Sequence, residues 1–107
     1  MAAKIKVPER AKRGEIIEIR SLAIHIMETG FRHDNVGRIV PRHIVDTFTC
    51  EYLGKTVFSA TLHPAVAANP YFVFHLRAER SGEIRFTWRD DKGGVITERA
   101  HLEVTDP

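Results

Sequence analysis

Two runs of strict apolar–polar alternation flank a proline-bounded segment in the middle of the chain, and they constrain the fold more than any other feature. The apolar members are Phe58, Ala60 and Leu62 before the segment and Phe72, Phe74, Leu76 and Ala78 after it. Residues two apart share one face of a strand, so each run predicts a half-buried strand. The intervening segment His63–Tyr71 contains two prolines, which cannot donate to a strand ladder. It predicts a crossover between two sheets, and a plain linker is the alternative hypothesis.

Similar patterns recur along the rest of the chain and predict the fold class. Strands are predicted at Lys4–Val7, Glu15–Ile24, Ile44–Tyr52, Thr56–Leu62, Tyr71–Glu79, Glu83–Arg89 and Ile96–Val104. About seven strands with regularly spaced turns and no helix indicate an all-β fold, an immunoglobulin-like antiparallel β-sandwich. At 107 residues we expect one domain, residues 1–107.

The segment Glu15–Ile24 is open to two interpretations. Some of its apolar residues fit a helical stripe, but its many β-branched isoleucines favour a strand. The apolar phase shifts from Ile17 and Ile19 to Leu22 and Ile24, which predicts a bulge or bend near Ser21. The preceding segment Glu9–Gly14 is predicted to be a charged turn.

The segment His25–Pro41 shows no periodicity. A connection of this length in a small domain is typically functional or disordered. Its apolar residues Met27, Phe31, Val36 and Ile39 argue against disorder. We expect this loop either to fold onto the sheet or to contact a partner.

Charge and hydropathy exclude several classes of function. The net charge of +2 is spread along the chain and is too weak to indicate nucleic-acid binding. No apolar run reaches transmembrane length, and Met1–Gly14 lacks the apolar region of a signal peptide, so we expect no membrane segment and no export signal within this sequence.

The residues capable of chemistry do not form a known catalytic or metal-binding motif. Six histidines are present, but no pair has the tight spacing of a zinc motif, so we expect no metal and no cofactor. Cys50 falls on the apolar face of its strand with Phe48 and Tyr52, where a thiol is buried, structural and a poor nucleophile. As the single cysteine it forms no internal disulfide, although an intermolecular one is open to it. We therefore expect no catalytic residue.

One alternative function uses the same fold. Superoxide reductases hold iron on an immunoglobulin-like sandwich through four histidines and a cysteine that is closely followed by a histidine. Here Glu51, Tyr52 and Leu53 follow Cys50, so the best motif of that metal-binding redox class is missing.

Several motifs resemble one bacterial family over nearly the whole chain. They are Ala11–Glu15, His25–Gly30 (HIMETG), Phe58–Ala60, Leu62–Ala65, Ala67–Tyr71, Glu83, Phe86–Trp88, Asp90–Asp91 and Gly93. Together they resemble SoxZ, one subunit of the SoxYZ carrier of the sulfur-oxidation system. Ile26 departs from the family, which usually has proline there and thereby fixes φ.

The resemblance implies a non-catalytic role in thiosulfate oxidation. The family binds a SoxY subunit, whose Gly-Gly-Cys-Gly tail carries sulfur intermediates between periplasmic Sox enzymes. This sequence ends in Thr105-Asp106-Pro107, so we expect it to scaffold SoxY rather than to carry sulfur. The resemblance further implies a heterodimer, transient contacts with other Sox enzymes, and a periplasmic location reached by co-export with SoxY. We also expect the isolated chain to be able to form a homodimer.

The partner site is predicted on two loops and one strand face. If the strands before them run in the same direction, the loops His25–Arg32 and His63–Tyr71 meet at one end of the sandwich. Tyr71 and Val73 point away from the core and would stay in water unless a partner covers them. The predicted partner-binding residues are Met27, Glu28, Thr29, Gly30, Arg32, His63, Pro64, Asn69, Pro70, Tyr71 and Val73. The alternative is that both loops only cap the core.

Overall fold

The computed structural model describes all 107 residues as a sandwich of two β-sheets without helices. Its eight strands are β1 (Ala2–Lys6), β2 (Arg10–Lys12), β3 (Ile16–Ile24), β4 (Val45–Tyr52), β5 (Lys55–Thr61), β6 (Tyr71–Arg77), β7 (Gly82–Asp90) and β8 (Val95–Thr105). One sheet has the order β1-β3-β6 and the other β2-β8-β7-β4-β5. The predicted immunoglobulin-like β-sandwich is confirmed.

The core lies between the sheets and is built by the alternating residues. Phe48, Cys50 and Tyr52 of β4 are buried. Phe58 of β5 stacks on Phe74 of β6, with ring centroids 4.4 Å apart, and so joins the two sheets. Aromatic contacts of this kind add stabilisation of about 1 kcal/mol beyond the burial of their area.

The strand β3 differs from the prediction because its inward face never changes phase. Its buried residues are Ile17, Ile19, Ser21 and Ala23, and its pairing with β1 and β6 runs without a register shift. The predicted bulge near Ser21 is therefore wrong. A serine occupies a core position because its hydroxyl donates to the Phe72 carbonyl oxygen over 3.4 Å, and Leu22 and Ile24 point outward.

The segment predicted as a charged turn contains a short strand instead. β2 pairs in parallel with the end of β8, Ala11 lying opposite Val104. This adds an eighth strand and makes the larger sheet mixed rather than purely antiparallel. Ala11 is buried, whereas its charged neighbours Arg10 and Lys12 stay exposed.

Five connections cross between the sheets, and the two longest of them were predicted to be irregular. The segment between β5 and β6 carries the chain from the larger sheet to the smaller one, so the predicted crossover is confirmed. The longer connection from β3 to β4 contains only the isolated bridges Glu28–His43 and His33–Ile39. The structure contains no helix of the length and hydropathy needed to cross a membrane.

The molecule is elongated. Its principal extents are 62 × 20 × 18 Å and its radius of gyration is 16.6 Å, compared with about 13 Å for a compact chain of this length.

Candidate functional site

The two loops predicted to meet do lie against each other at one end of the sandwich. The backbone N–H of Asn69 donates to the His25 carbonyl oxygen over 2.8 Å, and the Asn69 side-chain oxygen accepts from the His25 N–H over 2.9 Å. The cause is the antiparallel pairing of β6 with β3, which places Tyr71 opposite Leu22. Whether this end of the molecule binds a partner stays a prediction.

Two of the predicted partner-binding residues, Met27 and Pro70, are buried, so their side chains are not presented at the surface of this structure. Met27 adopts a φ of 54° and turns its side chain into the core, where only 4% of it is exposed. Its sulfur accepts the N–H of Val45 over 3.2 Å and so anchors the loop to the start of β4. Pro70 is also buried, and its carbonyl oxygen accepts from Ala23 N–H over 3.0 Å.

The next residues of the first loop form a small hydrogen-bonded turn. The Glu28 backbone exchanges hydrogen bonds of 2.7 and 2.9 Å with His43. The Glu28 carboxylate accepts from Nε and Nη2 of Arg32 over 2.9 and 2.5 Å, and this hydrogen bond lowers the pKa of Glu28. Thr29 Oγ1 accepts from the Phe31 N–H over 3.1 Å, and Gly30 turns the chain at a φ of 86°. The exposed polar group of this turn is the Arg32 guanidinium, and the Phe31 ring beside it in the chain is also exposed.

The second loop presents fewer fixed groups. His63 is exposed, and its carbonyl oxygen accepts from the Val66 N–H over 2.9 Å. Pro64 is half-buried. Asn69 is held in a left-handed conformation, with a φ of 53°, by its contacts with His25. Its amide nitrogen is left free for an external acceptor.

A small apolar surface, here called the outer patch, lies at the loop end of the outward face of the smaller sheet, which farther from the loops carries charged residues such as Lys6, Glu18 and Arg20. It consists of Leu22 and Ile24 on β3 and Tyr71 and Val73 on β6. Ile24, Tyr71 and Val73 are 42%, 53% and 44% exposed. The prediction included Tyr71 and Val73 but missed Leu22 and Ile24. The sequence does indicate this surface, because β3 carries apolar residues on both of its faces. The predicted bulge explained Leu22 and Ile24 in another way.

The structure also brings together three potential metal ligands that the sequence spacing did not predict. The ligand atoms of His25, His43 and Asp90 all lie within 4.8 Å of one another. His25 follows β3, His43 precedes β4 and Asp90 ends β7, so only the tertiary fold makes them neighbours. The expectation that no metal is bound rested on spacing alone.

Cys50 is fully buried in the core, as predicted. Burial, and then the nearby Glu51 carboxylate, raise the pKa of the Cys50 thiol to about 12. At neutral pH the thiolate is therefore almost absent, and the thiol is neither an activated nucleophile nor accessible for an intermolecular disulfide.

Solved structures with this arrangement of strands define the class to which the molecule belongs. Superoxide reductase (neelaredoxin) from Ignicoccus hospitalis superposes with a TM-score of 0.71 at 17% identity, covering 98% of this chain and 81% of its own. The sulfur carrier protein SoxY from Chlorobium limicola f thiosulfatophilum superposes with a TM-score of 0.67 at 16% identity, covering 98% and 80%. At such identities the likeness shows the fold alone, an immunoglobulin-like sandwich shared by redox proteins and sulfur carriers.

The sequence identifies the particular family within that class. The model of the sulphur oxidation protein SoxZ matches residues 5–101, so the chain belongs to the SoxZ family. Its role is that of a carrier component in sulfur oxidation. None of the curated protein sequences matches the chain significantly.

Proposed function

We propose that this chain is the non-catalytic subunit of a SoxYZ sulfur carrier and that it scaffolds the SoxY subunit during thiosulfate oxidation in the periplasm. The observation that carries the proposal is the family match over residues 5–101.

The chemistry of the only thiol in this sequence supports a scaffolding role. A covalent sulfur carrier needs a thiolate that can reach donor and acceptor enzymes. Cys50 lies in the core with a pKa of about 12, so it meets neither requirement. The sulfur-bearing thiol in this proposal therefore belongs to SoxY, and this chain holds SoxY in position.

The outer patch is the surface best suited to SoxY. Its half-exposed side chains are adjacent on paired strands, and contiguous apolar surface of this kind usually marks a protein contact. Asn69 borders it at the loop end, where it lines a cleft together with Ile24. An apolar centre with a polar rim is the usual composition of a stable interface. In this proposal, other Sox enzymes make transient contacts with the complex.

Two isoleucines on the same face of β3 provide a matched test of this surface. Ile24 lies in the outer patch, whereas Ile16, which is 53% exposed, lies at the opposite end of β3 beside Arg77. In size-exclusion chromatography with light scattering, we expect Ile24→Thr to weaken the heterodimer with SoxY by about tenfold or more. Ile16→Thr should bind like the parent, because threonine preserves the strand propensity at both positions.

The results distinguish an error in the partner from an error in the contact surface. If neither the parent nor the variants bind SoxY, the scaffolding function is wrong. If the parent binds and the two variants weaken binding equally or not at all, SoxY contacts another surface.

A second function, a metal-binding redox domain, is favoured by one observation, the cluster of His25, His43 and Asp90. This cluster contains no cysteine, unlike the site implied by the superoxide-reductase resemblance. Superoxide reduction by the iron-loaded chain, lost in His43→Gln, would establish that function in place of the carrier role.

A further inference from the structure

Two histidines and an aspartate converge beside the loop end of the sandwich. His43 Nε2 lies 3.2 Å from Asp90 Oδ2, and the imidazole rings of His25 and His43 are 4.5 Å apart at an angle of 79°. Asp90 Oδ1 is fixed by the N–H groups of Lys92 and Gly94, over 2.9 and 2.6 Å, which leaves Oδ2 to face His43. The carboxylate is thus oriented by its own hairpin.

One polar atom of this cluster has no partner although it is buried. His25 is only 7% exposed, and its Nε2 makes no hydrogen bond, whereas its Nδ1 accepts the Met27 N–H over 2.9 Å. A buried polar group without a hydrogen-bond partner costs stability, because it has lost its contacts with water and gained none in return. The fold retains this cost at a nitrogen that is a potential metal ligand.

The protonation states match those of metal ligands. Burial, followed by the proximity of His43, lowers the pKa of His25, so its imidazole is neutral at pH 7. Burial opposes ionisation of Asp90, but hydrogen bonds from His43 and from two backbone N–H groups outweigh it and lower the pKa of Asp90. Two imidazoles and one carboxylate form a donor set typical of zinc and ferrous sites.

The spacing also suits an ion between the groups. The separation of 3.2 Å between His43 Nε2 and Asp90 Oδ2 exceeds the length of a strong charge-assisted hydrogen bond. Two ligands that are each about 2 Å from a tetrahedral ion lie about 3.3 Å apart. All three ligand atoms lie within 4.8 Å of one another, so a small closing movement of the side chains completes the set.

We propose that His25, His43 and Asp90 bind one divalent transition ion of the Zn²⁺ type. Its fourth position faces the shallow cleft of about 250 Å³ that Ile24, Ile26 and Asn69 line together with the histidines. The ion replaces the proton between His43 Nε2 and Asp90 Oδ2, and that proton moves to His43 Nδ1. Binding at His25 Nε2 shifts its proton to Nδ1, so the hydrogen bond from the Met27 N–H breaks.

The site is tested on the full chain after removal of metals with EDTA, without SoxY, so the result is independent of the carrier function. In calorimetric titration with Zn²⁺, we expect one ion per chain and no binding of Mg²⁺. His43→Gln and Asp90→Asn should each weaken Zn²⁺ binding by more than about tenfold, since loss of a ligand costs more than loss of a group that orients one. His101→Gln removes an exposed histidine from β8 and should bind like the parent.

A second measurement covers the case in which a variant fails to fold. In the parent, NMR should show the Met27 amide resonance shifting with one equivalent of Zn²⁺, because its hydrogen bond to His25 breaks. An unchanged Met27 amide, a parent that binds no Zn²⁺, or equal weakening by His43→Gln and His101→Gln would each overturn the site.

Discussion

Cys50 shows how burial alone decides the chemistry of a residue. It lies in register with Phe58 of β5 and Phe86 of β7, in the middle of the larger sheet. Its burial follows from the alternation of Phe48, Cys50 and Tyr52 in β4, so the sequence predicts it directly. Met27 is the opposite case. It is buried because a left-handed backbone turns it inward, and no periodic pattern exists in that loop to predict this.

The first prediction concerns the stability that Cys50 provides and its dependence on pH. Cys50→Ala should lower the free energy of unfolding by about 1 kcal/mol or somewhat more at pH 7. The folded-state pKa is raised from 9.0 to about 12. Between these values the unfolded chain releases the thiol proton and the folded protein keeps it, so the parent loses stability as pH rises.

Because the alanine variant has no thiol to ionise, the difference between parent and variant should shrink above pH 9. Urea denaturation of both proteins across this range measures it. A constant difference, or rapid labelling of the native thiol at pH 7, would show that Cys50 is not held in the core.

At the scale of elements, the loop from β3 to β4 depends on a glycine in a tight position. Gly30 has a φ of 86°, and a Cβ added to it would lie 3.0 Å from the Arg42 Cβ. Gly14 has a similar φ of 87°, but nothing lies within 4 Å of its added Cβ. The pair therefore separates backbone strain from steric contact.

The second prediction uses this pair. Gly14→Ala should destabilise the protein by about 1 kcal/mol, the usual cost of a left-handed alanine. Gly30→Ala should cost more, because Arg42 must also move. Thermal unfolding of both variants measures the difference in stability. An equal loss of stability would mean that Arg42 moves aside without a measurable cost.

The elements also show which parts of the fold are predictable from sequence. β5, β6 and β7 alternate cleanly, because one face of each packs inward and the other faces water. β4 alternates only from Phe48 onward, because its pairing with β7 shifts register between Val45 and Thr47. β3 does not alternate cleanly, because its outward face is also apolar at Leu22 and Ile24, which imitate a change of phase. β2 is missed because three residues carry too little pattern and their pairing partner lies at the far end of the chain.

The candidate site is likewise predictable only in part. The meeting of the loops His25–Arg32 and His63–Tyr71 is predictable, since strand topology alone brings them together. The metal-ligand cluster is not, because His25, His43 and Asp90 come from three elements whose approach depends on packing.

For the whole molecule, the third prediction is that the isolated chain forms a reversible homodimer through the outer patch. Covering this apolar surface removes it from water in the absence of SoxY. Val73→Lys should make the chain monomeric, because a charge would then be buried in the interface. Val57→Lys is the control, since Val57 is similarly exposed but lies on β5 of the other sheet.

Sedimentation equilibrium over a range of concentrations distinguishes the monomer from the reversible homodimer. A parent chain that is monomeric throughout, or a Val57→Lys variant that dissociates like Val73→Lys, would remove the outer patch as the dimer interface.

The elongated shape has a hydrodynamic consequence for every such measurement. A body of 62 × 20 × 18 Å experiences more friction than a sphere of the same mass. A monomer will therefore elute early from a gel-filtration column, and its fluorescence anisotropy will decay more slowly than its 12.2 kDa suggest. Elution volume alone would assign a dimer to a single rod-shaped chain, whereas light scattering and sedimentation equilibrium report mass regardless of shape.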